Sequence, residues 1–219
     1  MKKSITTIAI LFLTFSMYAQ GNKQMYYQKM GQTLGGFASC KTVEDYNNLS
    51  NQFSVIAKVE TTEWMPLYYT ANCKIIMAFQ EEDKVKKDAY LDEAEKIFET
   101  MISIAPEESE VFALQALFYT ARLTVDPMTR GQEFSMKSNA SAHKSLALNP
   151  NNPRAKYLLL ANKIGFAQFF GKEIVAECQE AKELLENWDK LNETKNPLAP
   201  KWGKNNVEGI VKNCNSSVE

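Results

Sequence analysis

The sequence predicts an all-α protein, because three features of its 219 residues agree. Apolar side chains recur at intervals of three and four residues along most of the chain, as on the buried face of a helix. No segment alternates apolar and polar residues for long enough to form a strand. The chain holds only nine glycines and seven prolines, too few for a turn-rich β-sandwich. At 45% apolar residues it can bury a sizeable core.

Charge and motif content argue against several classes of function. The 25 basic and 26 acidic residues nearly cancel, so binding to nucleic acid through phosphate neutralisation is not expected. The chain has no phosphate-binding glycine loop, no G-x-S-x-G and no H-E-x-x-H. Its single histidine, His143, has no nucleophile motif nearby and is interpreted as structural. We therefore expect no catalytic residues, no cofactor and no metal site.

The first 19 residues have the organisation of a secretory signal peptide. Lys2 and Lys3 precede an apolar stretch at Ile8–Phe15, and the small residue Ala19 suits cleavage. The apolar run is shorter than the about 20 residues that a membrane-spanning helix needs. We expect export, to the periplasm or the medium, and a mature single helical domain over residues 20–219.

Export makes disulfide bonds possible for the four cysteines. If the segments around Cys178 and Cys214 form an antiparallel hairpin centred near residue 196, these two cysteines face each other. Cys40 and Cys73 would then pair or stay as buried thiols, and four reduced cysteines remain an alternative. Without a C-x-x-C pair, and with one histidine, structural zinc is not expected.

The N-terminal region, residues 20–62, is predicted to form two helices. The first covers Asn22–Leu34 and ends at two glycines. Thr42 is a suitable N-cap for the second. A third helix opens at Glu63–Pro66, since proline is tolerated in a first turn.

The remaining helices follow from apolar periodicity and from prolines that end it. One begins at Ala89, after a charged connector, and ends before Pro106; the next runs from Ser109 to the residue before Asp126. The later helices are predicted at Gly131–Leu148, Arg154–Ile164, Lys172–Lys190 and through Val207–Val211, with a connector at Asn196–Trp202.

Paired helices over residues 63–190 resemble tetratricopeptide repeats (TPR). That family places an aromatic residue, a leucine and a small residue on a first helix, and a small residue four positions before a large one on the second. The first-helix motifs begin at Trp64, Phe112 and Tyr157, and the second-helix motifs are Ala94/Phe98, Ser138/Ala142 and Ala181/Leu185. The middle pair has a shrunken second motif, so we expect it to pack less tightly or to depend on contacts with its neighbours.

The resemblance implies an α-solenoid of about three helix pairs with extra capping helices at both ends. Residues 191–219, including Trp202, would form the C-terminal cap. It also implies a non-catalytic scaffold that binds a protein or peptide in the bacterial cell envelope. A structural subunit of an outer-membrane assembly is an alternative, and a small-molecule-binding or enzymatic protein is a less favoured one.

The two helices of each pair stand farther apart in sequence than in the family. This excess predicts an enlarged loop inside each pair, at Gln80–Asp88, Val125–Gly131 and Gly165–Gly171. Stacking would bring these loops to one edge, which is typical of a binding edge.

Four loop residues are the candidate partner-binding contacts: Arg130, Phe166, Phe169 and Phe170. The phenylalanines can instead fold back as a plug, with Arg130 capping a helix carboxyl end. A concave groove lined by Trp64, Tyr68 and Tyr69 is another candidate, unless these rings form a packing layer between pairs.

Overall fold

A computed structural model of the protein describes residues 23–216, and every regular element among them is helical. The predicted all-α class is therefore confirmed. The predicted signal peptide lies outside the described residues. None of the helices described is both long and apolar enough to cross a membrane. The α-helices are residues 23–35 (α1), Val43–Val59 (α2), Trp64–Gln80 (α3), Lys84–Ile104 (α4), Ser109–Val125 (α5), Pro127–Leu148 (α6), Pro153–Phe169 (α7), Val175–Leu191 (α8) and Lys204–Ser216 (α9), with one 3-10 turn at Gly36–Ala38.

Local capping explains where several helices begin. The Thr42 hydroxyl accepts the backbone N–H of Asp45, and the Asp45 carboxylate accepts the backbone N–H of Thr42, which forms a capping box. The Asn152 side chain likewise accepts two backbone N–H groups in the first turn of α7. Pro127 and Pro153 occupy first-turn positions, where their missing N–H is not needed. Helices α3 and α5 begin at Trp64 and Ser109. The predicted starts of α2, α3 and α5 are therefore confirmed.

The three enlarged loops predicted within the pairs are wrong. Only residues 81–83, 126 and 170–174 separate the helices of α3–α4, α5–α6 and α7–α8. The extra residues extend the helices instead. Asp83 caps α4 by accepting the N–H groups of Val85 and Lys86, so the charged stretch begins a helix with a solvated face.

The helices α6 and α7 are longer than predicted for related reasons. Helix α6 begins at Pro127 rather than Gly131, directly after Asp126. Helix α7 continues through Gly165 to Phe169, because an isolated glycine costs a helix only about 1 kcal/mol relative to alanine. The binding edge inferred from enlarged loops is therefore absent from the described residues.

Consecutive helices pack as antiparallel pairs, and the pairs are stacked. Helix α3 contacts α5 and α5 contacts α7, so the first helices of the pairs form a continuous layer. The N-terminal helix α2 packs on α3, and α9 packs on α8. Such stepwise contacts agree with a helical repeat-like fold.

The largest core cluster joins α1 through α5. It includes Phe53, Tyr68, Leu91 and Phe118, together with Leu198 from the connector after α8. A separate cluster around Trp188 joins α7, α8 and α9. A third cluster of small residues and Leu158 joins α5, α6 and α7. Each helix pair therefore shares a hydrophobic layer with its neighbours.

The middle pair packs more tightly than we expected. Helices α5 and α6 make the most extensive backbone contact in the structure. Small buried residues allow this approach, and hydroxyl groups bond across the interface: Ser138 donates to the Ala116 carbonyl and Ser145 to the Ser109 carbonyl. The shrunken motif is thus compensated by close backbone approach and hydrogen bonds.

Cys178 and Cys214 form a disulfide between α8 and α9, with their Cα atoms 5.8 Å apart. This is the pair that the hairpin arrangement favours. Cys40 and Cys73 are free thiols, and Cys73 is buried. Burial raises the pKa of both thiols, which keeps them protonated and weakly reactive.

Gly203 precedes α9 with a φ of +107°, and a Cβ there would lie 2.7 Å from the Trp188 ring. We expect Gly203→Ala to lower the free energy of unfolding by about 3 kcal/mol, through backbone strain and overlap. Gly209→Ala is the control, because a Cβ at this helical glycine meets nothing within 4 Å. It should raise stability by about 0.5–1 kcal/mol. Equal effects of the two changes in urea denaturation would contradict this packing.

Candidate ligand-binding groove

The segment between α8 and α9, residues 192–203, runs back across α3; we refer to it as the strap. The Tyr69 hydroxyl donates to the Leu198 carbonyl at 2.5 Å, and Trp202 Nε1 donates to the Tyr68 hydroxyl at 2.8 Å. Leu198 is only 2% exposed and belongs to the large core cluster. Backbone, side-chain and apolar contacts thus fix the strap to the N-terminal half of the molecule.

Arg154 at the start of α7 also holds the strap. Its Nη1 donates to the Pro200 carbonyl at 3.0 Å. Its Nε and Nη2 donate to the two carboxylate oxygens of Glu110, at 2.6 and 2.7 Å. The guanidinium is buried, and these bonds leave it fully engaged in joining α5, α7 and the strap.

A groove of about 680 Å³ lies between the strap and the helices α1–α3. This volume is within the range of small-molecule sites, about 300–1,000 Å³. Four aromatic rings face it, together with aliphatic and small residues. The lining residues are Gly31, Leu34, Gly35, Phe37, Tyr46, Tyr69, Asn72, Ile76, Pro197, Ala199, Lys201, Trp202 and Asn205.

The aromatic wall of the groove is preformed. The Phe37 ring lies 6.0 Å from the Tyr69 ring and 6.4 Å from the Tyr46 ring, measured between centroids. Phe53 stacks behind Tyr69 at 5.2 Å. Burial raises the pKa of both groove tyrosines, so their phenols stay neutral at physiological pH. The wall is therefore a largely apolar surface suited to a flat ligand.

A second, smaller cavity of about 280 Å³ lies on the other side of the strap. Trp64, Glu108, Glu110 and Arg154 are among its lining residues, and Ala199 lines both cavities. Its charged groups bond mainly to one another and to the backbone. We interpret it as a polar support of the strap.

Trp64, Tyr68 and Tyr69 were predicted to line a concave groove or to form a packing layer between pairs, and the structure separates them. Tyr69 lines the groove. Tyr68 is fully buried in the core, as a packing layer requires. Trp64 lines the smaller cavity.

The candidate residue Arg130 lies in the first turn of α6, away from the groove. Its two Nη atoms donate to the Asp88 carboxylate at 2.7 and 2.8 Å. These hydrogen bonds lower the pKa of Asp88. The guanidinium therefore pairs with a side chain of α4 and does not cap a helix carboxyl end.

The candidate residues Phe166, Phe169 and Phe170 form an exposed cluster at the end of α7; we refer to it as the Phe cluster. They are 59%, 63% and 58% exposed, so the plug alternative is wrong. The Phe170 ring contacts the other two, with centroid distances of 4.7 and 5.1 Å. None of the three lines the groove.

Metal-binding side chains are not clustered in the described part of the chain. No group of three or more His, Cys, Asp or Glu residues between 23 and 216 is placed to hold an ion. His143 is exposed on α6 and does not line the groove. The polar side chains that line the groove are two phenols, two amides, an indole and one ammonium group: Tyr46, Tyr69, Asn72, Asn205, Trp202 and Lys201.

No protein-family model matches the chain, and no curated protein matches it. Among solved structures, that of the HusA haemophore from Porphyromonas gingivalis is similar, with a TM-score of 0.75 and 28% sequence identity. The similarity covers 89% of this chain and 94% of that one. The likeness therefore extends over most of both chains.

The hydrogen bond from Tyr69 to the strap should be measurable in stability. Tyr69→Phe leaves the buried Leu198 carbonyl without its donor, so we expect the free energy of unfolding to fall by about 1–2 kcal/mol. Tyr27→Phe is the matched control, because Tyr27 is exposed and bears no hydrogen bond within residues 23–216. A change below 0.3 kcal/mol for Tyr69→Phe, on the order of surface variants, would argue against this anchor.

Proposed function

We propose that this protein is an exported, non-catalytic carrier that binds haem, or a similar planar tetrapyrrole, in the groove between α1–α3 and the strap. The groove with its four aromatic rings is the observation that carries the proposal. The likeness to a haemophore supports it, since that word describes a protein that carries haem. The predicted signal peptide over residues 1–19 agrees with export.

The groove suits the shape and polarity of a tetrapyrrole. Such a molecule is flat, largely apolar and edged by carboxylates. Phe37, Tyr46 and Tyr69 offer ring surfaces on one side, and Trp202 offers one on the strap. Stacking and apolar burial would supply most of the affinity.

Contacts to the iron would be oxygen-based. Tyrosine is a known axial ligand of haem iron, and two tyrosines line the groove. The Tyr69 hydroxyl already donates to Leu198. Tyr46 has no hydrogen-bond partner for its hydroxyl among the described residues, so it would be the groove tyrosine to ligate iron. Ligation would require loss of the phenol proton, which burial of Tyr46 opposes.

Haem binding can be tested by filling the groove. Gly31 lines it, and a Cβ at this position meets nothing within 4 Å, so Gly31→Trp should fold normally and occupy the ligand's space. In titrations of haemin followed by Soret absorbance, we expect at least tenfold weaker binding than for the parent. Gly131→Trp is the matched control, at an equally open glycine outside the groove.

The control should bind haemin like the parent protein. Absence of binding to the parent, or equal binding by the Gly31→Trp variant, would contradict the proposal. Repeating the titration with iron-free protoporphyrin IX separates stacking from iron ligation, since only the latter is lost.

The Phe cluster favours a second function, recognition of a protein or peptide partner in the cell envelope. Three exposed aromatic rings, of which Phe170 contacts the other two, are unusual on a free surface and are typical of interfaces. Arg130 contributes to the proposal only if a partner competes with Asp88 for its guanidinium.

Capture from envelope extract tests this second function. We expect Phe169→Ala/Phe170→Ala to weaken retention of a specific partner by about thirtyfold, the loss typical of interface hot spots. Haemin binding should stay unchanged in this variant, because neither residue lines the groove. Full retention of every partner would remove the assignment.

A further inference from the structure

Asn72 is a buried polar residue in the wall of the groove. It is only 4% exposed, its side-chain amide makes no hydrogen bond within residues 23–216, and the amide atoms are accessible from the groove. Buried side-chain amides in native proteins are nearly always hydrogen-bonded. An amide that lines a groove without a partner is therefore available to a ligand.

The position of Asn72 on α3 explains why its side chain lines the groove. Tyr69, Asn72 and Ile76 are three and four residues apart, so they share one face of the helix. The two neighbours of Asn72 on this face are an aromatic and an aliphatic residue. An amide between them gives the groove one hydrogen-bonding group deep in an apolar wall.

Lys201 is the only charged residue among the described residues that line the groove. It is exposed on the strap and forms no ion pair within residues 23–216. Lys204, the next lysine along the chain, is paired instead: it donates to both carboxylate oxygens of Asp189, at 2.8 and 2.7 Å. The groove thus carries a positive charge without a partner and no acidic residue.

We propose that Asn72 and Lys201 recognise carboxylate groups of the groove ligand. The Asn72 amide donates to a carboxylate oxygen within the groove, and the Lys201 ammonium pairs with carboxylate at the strap. This inference depends on the proposed function and specifies its ligand class: a planar apolar molecule with free carboxylates is preferred over its neutral ester. A cationic ligand is disfavoured, because no carboxylate lines the groove to receive it.

The experiment compares protoporphyrin IX with its dimethyl ester, which has the same macrocycle but carries methyl esters in place of the two carboxylates. Affinities are measured by fluorescence titration for the parent, Asn72→Leu and Lys201→Gln. The parent should bind the acid about tenfold more tightly than the ester. Asn72→Leu should bind the acid about tenfold more weakly and lose most of this preference.

Lys201→Gln should weaken binding of the acid about threefold at low salt, and the difference should shrink at high salt because the charge is exposed. Lys195→Gln is the matched control: it makes the same change at an exposed strap lysine that does not line the groove. It should leave both affinities unchanged. An equal effect of the two lysine changes would show a nonspecific effect of charge and would overturn the role of Lys201.

Thermal stability separates a ligand-binding role of Asn72 from a structural one. Removing a buried amide that has no partner should leave the melting temperature unchanged or raise it, while affinity falls. A lower melting temperature for Asn72→Leu would mean that the amide supports the fold and would overturn the assignment. If the parent binds neither these porphyrins nor haemin, the proposed function fails. If it binds haemin but neither porphyrin, or binds acid and ester equally, only the carboxylate inference fails.

Discussion

The return of the strap to α3 is the constraint on which the candidate site depends. Stacked helix pairs leave the aromatic face of α3 without a cover, and the strap covers it through Leu198 and Trp202. Arg154 ties the same segment to α5 and α7. The disulfide between α8 and α9 joins the helices on either side of the strap. One connector therefore links the two halves of the chain and forms a wall of the groove.

Local features of the sequence predict most of the fold. Caps such as Thr42 act within one turn, so they are readable without tertiary information. Helix lengths are less predictable. The charged stretch Lys84–Asp88 suits a loop and a solvated helix face equally well, and the Asp83 cap selects the helix. Gly165 similarly permits a break in the helix, but α7 continues through it to Phe169. Excess spacing between motifs was thus a signal of longer helices, not of loops.

The groove is harder to predict, because its lining residues lie in two distant parts of the sequence. Residues 31–76 form one wall and residues 197–205 the other, and only the tertiary path of the strap joins them. The available signal was the composition of the connector, where Leu198 and Trp202 are too apolar for a solvated linker. Residue type singled out the three phenylalanines of the Phe cluster, but the sequence left both an exposed surface and a plug open, and the structure places the rings on the surface.

In the chain, α8 separates the Phe cluster from the strap that forms one wall of the groove. The strap follows its carboxyl end, and the Phe cluster precedes its amino end, across a helix of 17 residues or about 25 Å. A partner bound at the Phe cluster would therefore leave the groove accessible. The groove itself is preformed by ring contacts and strap hydrogen bonds, so a ligand enters it with little ordering of the chain. The proposed carrier function requires recognition while a ligand is bound. The groove and the Phe cluster share no residue, so both contacts are compatible.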